Sequence, residues 1–391
     1  MRKNGRRALV IGAGIGGAAA GIALRRAGFE TVVFERAPSL GAAQVGGCYV
    51  LWYAGVLSLG QLGLGDAAAK IGHPVERFEM CDARGRVLNG LDVGKRGQAL
   101  GAMPIAVRRT ELIAALHDEL GAGSLRLGST LTRVEQDGRG VTAVFADGST
   151  ERGDLMVGAD GLKSVVRSGL HPKAAPRHPG YAHWFGIADG DGGAPDGVFR
   201  ILHGKGARFA FFHLGGGKVC WWFVRNAAQG QDGDVLGDPA AITRFVNGWH
   251  PTAAALVEAT PAGGIRRRDT YDQAPRRRWG ADRVTMLGDA AHAMTFNLGQ
   301  GAGASLTDAV VLGRQLGAGG GLLASLRGYE RIRRARTLLL VWASRQVGDS
   351  AAWDSRIGAA ANATILRTVG ALVTPSLLEL DTRRHPALAA S

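Results

Sequence analysis

Residues 8–35 read ALVIGAGIGGAAAGIALRRAGFETVVFE, and no other run restricts the possible folds as much. Ala8 to Ile11 is a short apolar strand pattern, and TVVFE is a second one that ends at Glu35. Between them stand a glycine turn, Gly12-Ala-Gly14-Ile-Gly16-Gly17, and an alanine-rich stretch of helical character. Strand, glycine turn, helix and strand within about thirty residues make a βαβ unit, whose two strands must lie parallel. Gly12 permits the tight turn, Gly14 lets the backbone approach a diphosphate, and Gly17 lets helix and strand pack closely. The helix N-terminus then offers unpaired N–H groups to the anion. Glu35 can accept both hydroxyls of an adenosine ribose and disfavours a 2′-phosphate, so the expected ligand is FAD or NAD rather than NADP. Gly16 and Arg36, in the same two loops, are assigned to the binding site with them.

Two later segments repeat the theme of a strand that runs into a glycine turn. DLMVGADGLKSVVR starts at Asp154 and passes through Asp160 before a helix capped near Leu162 to Ser164. Asp160 has two open roles there: it can cap the helix or meet a ribose hydroxyl. RVTMLGDAAHA ends its strand at Gly288-Asp289 and continues as MTFNLGQG, with a helix expected to begin just after Gly301. A flat ring that becomes anionic on reduction needs close backbone approach, N–H donors and a helix N-terminus, with no fixed cation competing. Gly299, Gln300, Gly301 and Ala302 can form that surface, Gly288 the turn before it, and Asp289 can hold a ribityl hydroxyl. The ring so described is an isoalloxazine, which makes FAD the expected cofactor. His292, inside GDAAH, is expected to stabilise the turn rather than to catalyse.

The three motifs together resemble those of the FAD-dependent class A monooxygenases, single-component flavoproteins with the p-hydroxybenzoate hydroxylase type of fold. The resemblance runs from roughly Ala8 to Arg345. It implies that Arg109, in RRTELIAAL, reaches FAD, and that NADH or NADPH serves as a transient reductant. It further implies that oxygen adds at flavin C4a, giving a hydroperoxide that hydroxylates or epoxidises an electron-rich aromatic or polyene substrate. The residues around C4a are then Phe296, Asn297, Leu298 and Gly299, with no acid or base assigned. The sequence departs from the family at three places: Phe296 stands where relatives commonly have proline, Gly303 where many have asparagine, and Tyr53-Ala54 where Pro-Asn is frequent. Phe296 leaves two readings open: a repacked loop, or a flavoprotein that does not oxygenate, such as a non-redox cyclase or a dehydrogenase.

The implied fold is α/β: a Rossmann-like FAD-binding domain with an inserted, mainly antiparallel sheet and a C-terminal helical segment. The FAD-binding part is expected from residues 1–73, 100–176 and 266–325, the substrate part from 74–99 and 177–265, and the C-terminal helices from 326–391. RFAFFHL, a glycine turn and VCWWFVR read as a hairpin. Cys220, Trp222 and Val224 share one face, while Val219, Trp221 and Phe223 share the other. Phe209, Phe211, Trp221 and Phe223 are the candidates for a substrate pocket, with plain sheet core as their alternative role. His183, His203 and His213 are weighed as bases for a phenol and read more readily as sheet or surface residues.

Composition excludes several other classes. The 391 residues are 46% apolar and 20% charged, a globular balance too long for one minimal domain. The formal charge of +14 is spread over short arginine groups, which favours small anionic ligands over nucleic acid. Three scattered cysteines fit neither a disulfide framework nor a zinc site, and no histidine spacing suggests a metal. They point to a reducing cytoplasm. No uninterrupted apolar run of about twenty residues is expected to cross a bilayer.

Overall fold

The βαβ unit sets the first layer. In the computed structural model, which describes residues 5–40, 47–173, 175–230, 235–236 and 238–382, five strands form a sheet in the order Val284–Met286, Leu155–Gly158, Arg7–Ile11, Glu30–Phe34 and Leu125–Arg126. Every neighbouring pair is parallel. A parallel sheet must be covered on both faces, and its strands are accordingly apolar throughout: Ala8, Leu9, Val10, Leu155, Met156 and Val157 are fully buried. Helix Gly301–Gly317 packs on helix Ile15–Arg26 through small residues, so that a Cβ on Gly313 would stand 2.8 Å from the Cβ of Ala23.

The second layer is an eight-stranded sheet in the order Val235–Leu236, Arg266–Asp269, Tyr181–Asp189, Lys218–Asn226, Ala207–Gly215, Val198–His203, Arg77–Asp82 and Val87–Asp92. All its pairings are antiparallel except that of Val198–His203 with Arg77–Asp82. Strand Arg266–Asp269 differs from the expected boundary at 265: it pairs with Tyr181–Asp189 and so belongs to this sheet. The sequence RRRD carries no apolar alternation, and the strand lies next to the sheet's edge, where arginine side chains can reach solvent.

Helix Leu322–Ala351 is 30 residues long, about 45 Å at 1.5 Å per residue. A helical run follows at Arg356–Leu378, 23 residues, in which an 18-residue stretch has a mean hydropathy of 1.3 and is only 11% buried. By length and composition this run could cross a bilayer, contrary to expectation; Arg367 interrupts it, which is why no continuous apolar span stands out in the sequence. It exposes Ile357 (84%) and Leu372 (80%). The expected C-terminal segment reaches 391, and its residues 383–391 lie outside those described. Cys48, Cys81 and Cys220 are buried free thiols.

Candidate active site

The three glycine turns meet at the carboxyl ends of adjacent parallel strands, where an open α/β sheet binds its ligands. Ala159 N donates to Ile11 O at 2.8 Å, and Leu287 N donates to Gly158 O at 3.0 Å. The contact is close enough that a Cβ on Gly12 would lie 2.4 Å from Ala159 O, and one on Gly17 1.8 Å from Gly12 O. A Cβ on Gly14 would meet nothing within 4 Å, because Gly14 faces an open cleft. Glu35 accepts from Ala13 N at 2.9 Å and from Ala37 N at 3.0 Å, which fixes its carboxylate at the end of the second strand.

Arg167, in the second motif, joins that motif to the third. It is 2% exposed, donates to Ala290 O at 3.1 Å, and also reaches the carbonyls of Asp289, Gly161 and Leu162. Burial pushes its guanidinium below the usual range, against the opposing charges of Asp160 and Asp289. The sequence reading assigned no role to Arg167. An arginine three residues past a helix-capping serine gives no hint that two of its partners, the carbonyls of Asp289 and Ala290, lie more than a hundred residues away.

The cleft has a volume of about 350 Å³. Its floor is Gly14, Ile15, Gly16, Gly288, Asp289, Gly299, Gly301 and Ala302; one wall is strand Cys48–Leu51 with Arg109. The large sheet supplies His183, Phe185, Trp222 and Arg268, and Phe296 completes the enclosure. Phe296 places its ring 4.7 Å from that of His183, tilted by 56°, and edge-on at 6.4 Å to those of Tyr181 and Trp222.

Several groups fit a flavin nucleotide. Arg109 donates to the Tyr49 hydroxyl at 3.0 Å while its Nε is buried without a partner among the described residues. Trp52 Nε1 is likewise buried and unpaired. Asp289 is exposed to the cleft, and its carboxylate has no hydrogen-bond partner among the described residues. Desolvation by the surrounding protein pushes that carboxyl up, against the pull of His292, Arg109 and Arg167. The first N–H groups of helix Gly301–Gly317 have no carbonyl partner within the helix and point back toward the glycine loop.

Other candidates lie elsewhere. Asp160 uses Oδ2 to accept from Val165 N at 2.7 Å and Val166 N at 3.2 Å, the helix-capping role, and does not line the cleft. Gln300 is buried at the start of its helix and Arg36 is exposed; neither lines the cleft, nor does Leu298. Asn297 turns away from it: Oδ1 accepts from Arg208 Nη2 at 2.8 Å, and the amide nitrogen lies 2.8 Å from Tyr181 OH, Thr295 Oγ1 and Ser344 O. Asn297 therefore braces the Phe296 loop between the sheet and the long helix.

Phe209, Phe211, Trp221 and Phe223 are corrected outright. They point to the opposite face of the sheet and pack with Ile242, Leu256 and Val257 of the covering helices. Trp222, one residue out of phase, faces the cleft in their stead. His183 lines the cleft with Nδ1 3.3 Å from Thr270 Oγ1, whereas His213 bonds Ala194 O at 2.9 Å outside it. His292 is 4% exposed and paired through Nε2 to Asp308 Oδ2 at 2.6 Å, a structural position.

A glycine-turn dinucleotide cleft closed by an antiparallel sheet defines a flavoprotein of the hydroxylase type. The chain belongs to the family defined by the FAD binding domain, which matches residues 6–341. It is 33% identical over 383 residues to the aurachin C monooxygenase/isomerase of Stigmatella aurantiaca, covering 98% of each chain. It is 34% identical over 343 residues to an FAD-dependent urate hydroxylase of Klebsiella pneumoniae subsp. pneumoniae, covering 85% of this chain and 88% of the relative. The solved structure of Klebsiella pneumoniae HpxO with FAD and uric acid superimposes with a TM-score of 0.89 at 30% identity, covering 97% of both chains. The protein is an FAD-dependent monooxygenase.

Proposed function

We propose that this enzyme takes electrons from NADH or NADPH and inserts one atom of O2 into a planar, electron-rich aromatic or unsaturated small molecule, by hydroxylation or epoxidation. The observation that carries this reading is that Phe185, Trp222 and Phe296 line the same cleft as the glycine turns. Bound FAD, once reduced, supplies the oxygen activation. The chain's own residues do the rest. Gly14 and the first helix N-terminus receive the diphosphate, Glu35 the adenosine ribose, and Asp289 the ribityl chain. The N-terminus of helix Gly301–Gly317 stabilises negative charge on the ring, and Arg109 contributes its unpaired Nε at the opposite wall.

Phe296 sits among Tyr181, His183 and Trp222, which favours a repacked loop over a lost reaction. The aromatic side chains exclude water from the space above the floor and sandwich a flat substrate there. Arg268 adds a positive wall beside Phe185, 5.5 Å from its ring, which suits a substrate with a carbonyl or phenolate oxygen. The three buried thiols support a reducing, cytoplasmic setting.

Purified, FAD-loaded protein should oxidise NADH or NADPH faster in the presence of substrate, with a product heavier by one oxygen atom. Phenols, urate and aurachin C are the first panel. Failure of every electron-rich aromatic to stimulate oxidation, with flavin that is nonetheless reducible, would overturn oxygenation.

A further inference from the structure

A second cleft, of about 560 Å³, opens at one end of the large sheet and shares no lining residue with the first. The turn after strand Arg77–Asp82 and the turn after Val198–His203 form its base, because those two strands run parallel and end together. Helix Arg356–Ile365 covers it with Ala359, Asn362 and Ala363, and Phe245 and Trp249 stand at its side with ring centroids 6.2 Å apart.

Three observations give this cleft the character of a built site. Asn362 is only 4% exposed and lines the cleft, yet its amide has no hydrogen-bond partner among the described residues. The amide is not sealed, so water or a ligand entering the cleft can satisfy it. Next to it, both ring nitrogens of His203 are sealed from solvent without a partner among the described residues. Burial, helped by the cross-strand neighbour Arg208, lowers the pKa of His203 to about 3, so this wall is polar but uncharged at neutral pH. At the rim, Arg84 and Lys205 are exposed and have no carboxylate partner among the described residues. The acidic group of the cleft, Asp82, is already engaged by Arg86 at 3.0 Å and by the backbone N–H groups of Arg84 and Arg86.

We infer that this cleft is a second ligand site, for an anionic aromatic molecule whose ring lies against Phe245 and Trp249. Asn362 hydrogen-bonds a polar edge of the ring, and Arg84 and Lys205 receive its carboxylate or phosphate. The site is independent of the reaction at the flavin, since none of these residues touches the first cleft.

Isothermal titration of the FAD-loaded protein with 2-naphthoate, and with uncharged 2-naphthamide as control, tests this. One naphthoate site is expected that leaves the flavin absorption spectrum unchanged and binds the amide at least about tenfold more weakly. The surface double variant R84S/K205S should weaken naphthoate binding about tenfold without changing FAD content, and Asn362→Ile should abolish it by filling the cleft. Naphthoate binding only where the flavin spectrum responds, equal affinity for the amide, or unchanged affinity in R84S/K205S would each overturn the assignment.

Discussion

Asp308 receives His292 Nε2 on one carboxylate oxygen and Arg333 Nε on the other, each at 2.6 Å. Gly288 N donates to the first oxygen as well, at 2.9 Å, so a residue inside helix Gly301–Gly317 fixes the backbone of the GDAAH turn. Arg333 in turn forks onto Asp381 at 2.8 and 3.0 Å. All four side chains are buried, and the chain's last described turn thereby holds its cofactor loop. Removing either carboxylate leaves buried Arg333 with one anionic partner instead of two and weakens charge-assisted hydrogen bonds worth about 1.5–3 kcal/mol each. Asp308→Asn and Asp381→Asn should each lower the urea midpoint of unfolding accordingly, with Asp308→Asn also losing FAD on dialysis.

The same cluster gives a pH test. Burial alone would push Asp308 up, but His292 and Arg333 hold its carboxyl below the ordinary value of 3.8, and Arg333 does the same for Asp381. A carboxylate depressed in the folded state contributes stability above its unfolded pKa, and that contribution is lost as pH falls through the folded one. Asp289 and Glu330, whose carboxyls burial pushes up, act in the reverse sense. The stability gap between wild type and Asp308→Asn should therefore be constant near neutrality and shrink below about pH 4. A gap that widened with acid would contradict the pairing.

Gly14 and Gly17 should separate binding from folding. Gly14 has an ordinary φ of −68° and open space at its missing Cβ, so Gly14→Ala should leave the thermal stability of the apoprotein unchanged. Its methyl group would occupy cleft space meant for the diphosphate, and FAD affinity should fall by at least about tenfold. Gly17→Ala places a methyl 1.8 Å from Gly12 O and should destabilise the apoprotein itself. FAD titration with calorimetry of both apoproteins distinguishes them.

The two faces of strand Lys218–Asn226 should behave differently. Phe209→Ala and Trp221→Ala empty the core under the covering helices and should each lower stability by about 3–5 kcal/mol, with KM of the surviving enzyme unchanged. Trp222→Leu should raise KM for the aromatic substrate and increase unproductive NAD(P)H oxidation, with little change in the unfolding midpoint.

The glycine turns were legible because their job is local. Gly12 and Gly17 shape a turn within six residues, and any chain carrying that spacing between a strand and a helix must bend the same way. The alternation in VCWWFVR was equally legible, but period two says only that Trp221 and Trp222 part company, not which of them meets the flavin layer. That choice rests on helices 239–245 and 251–258 folding over one face, which the hairpin does not encode. Strand Arg266–Asp269 was assigned to the wrong layer since its side chains are all charged. The roles of Arg167 and Arg333 are not legible because their partners are remote in sequence, and Asn297, expected beside C4a, instead bonds Arg208, Tyr181 and Ser344, which its own loop does not announce.

The order of strands in the parallel sheet bears on how the chain is made. Arg7–Ile11 emerges first and sits in the middle, but its neighbour Leu155–Gly158 comes much later and the outer Val284–Met286 later still. The larger sheet draws its strands from within that interval, on both sides of Leu155–Gly158. A nascent chain leaving the ribosome must carry unpaired apolar strand edges until more than two-thirds of it has been synthesised, and such long-range pairing is slow and prone to aggregation. Productive expression should therefore depend on chaperone supply and slow translation more than on the stability of the finished fold.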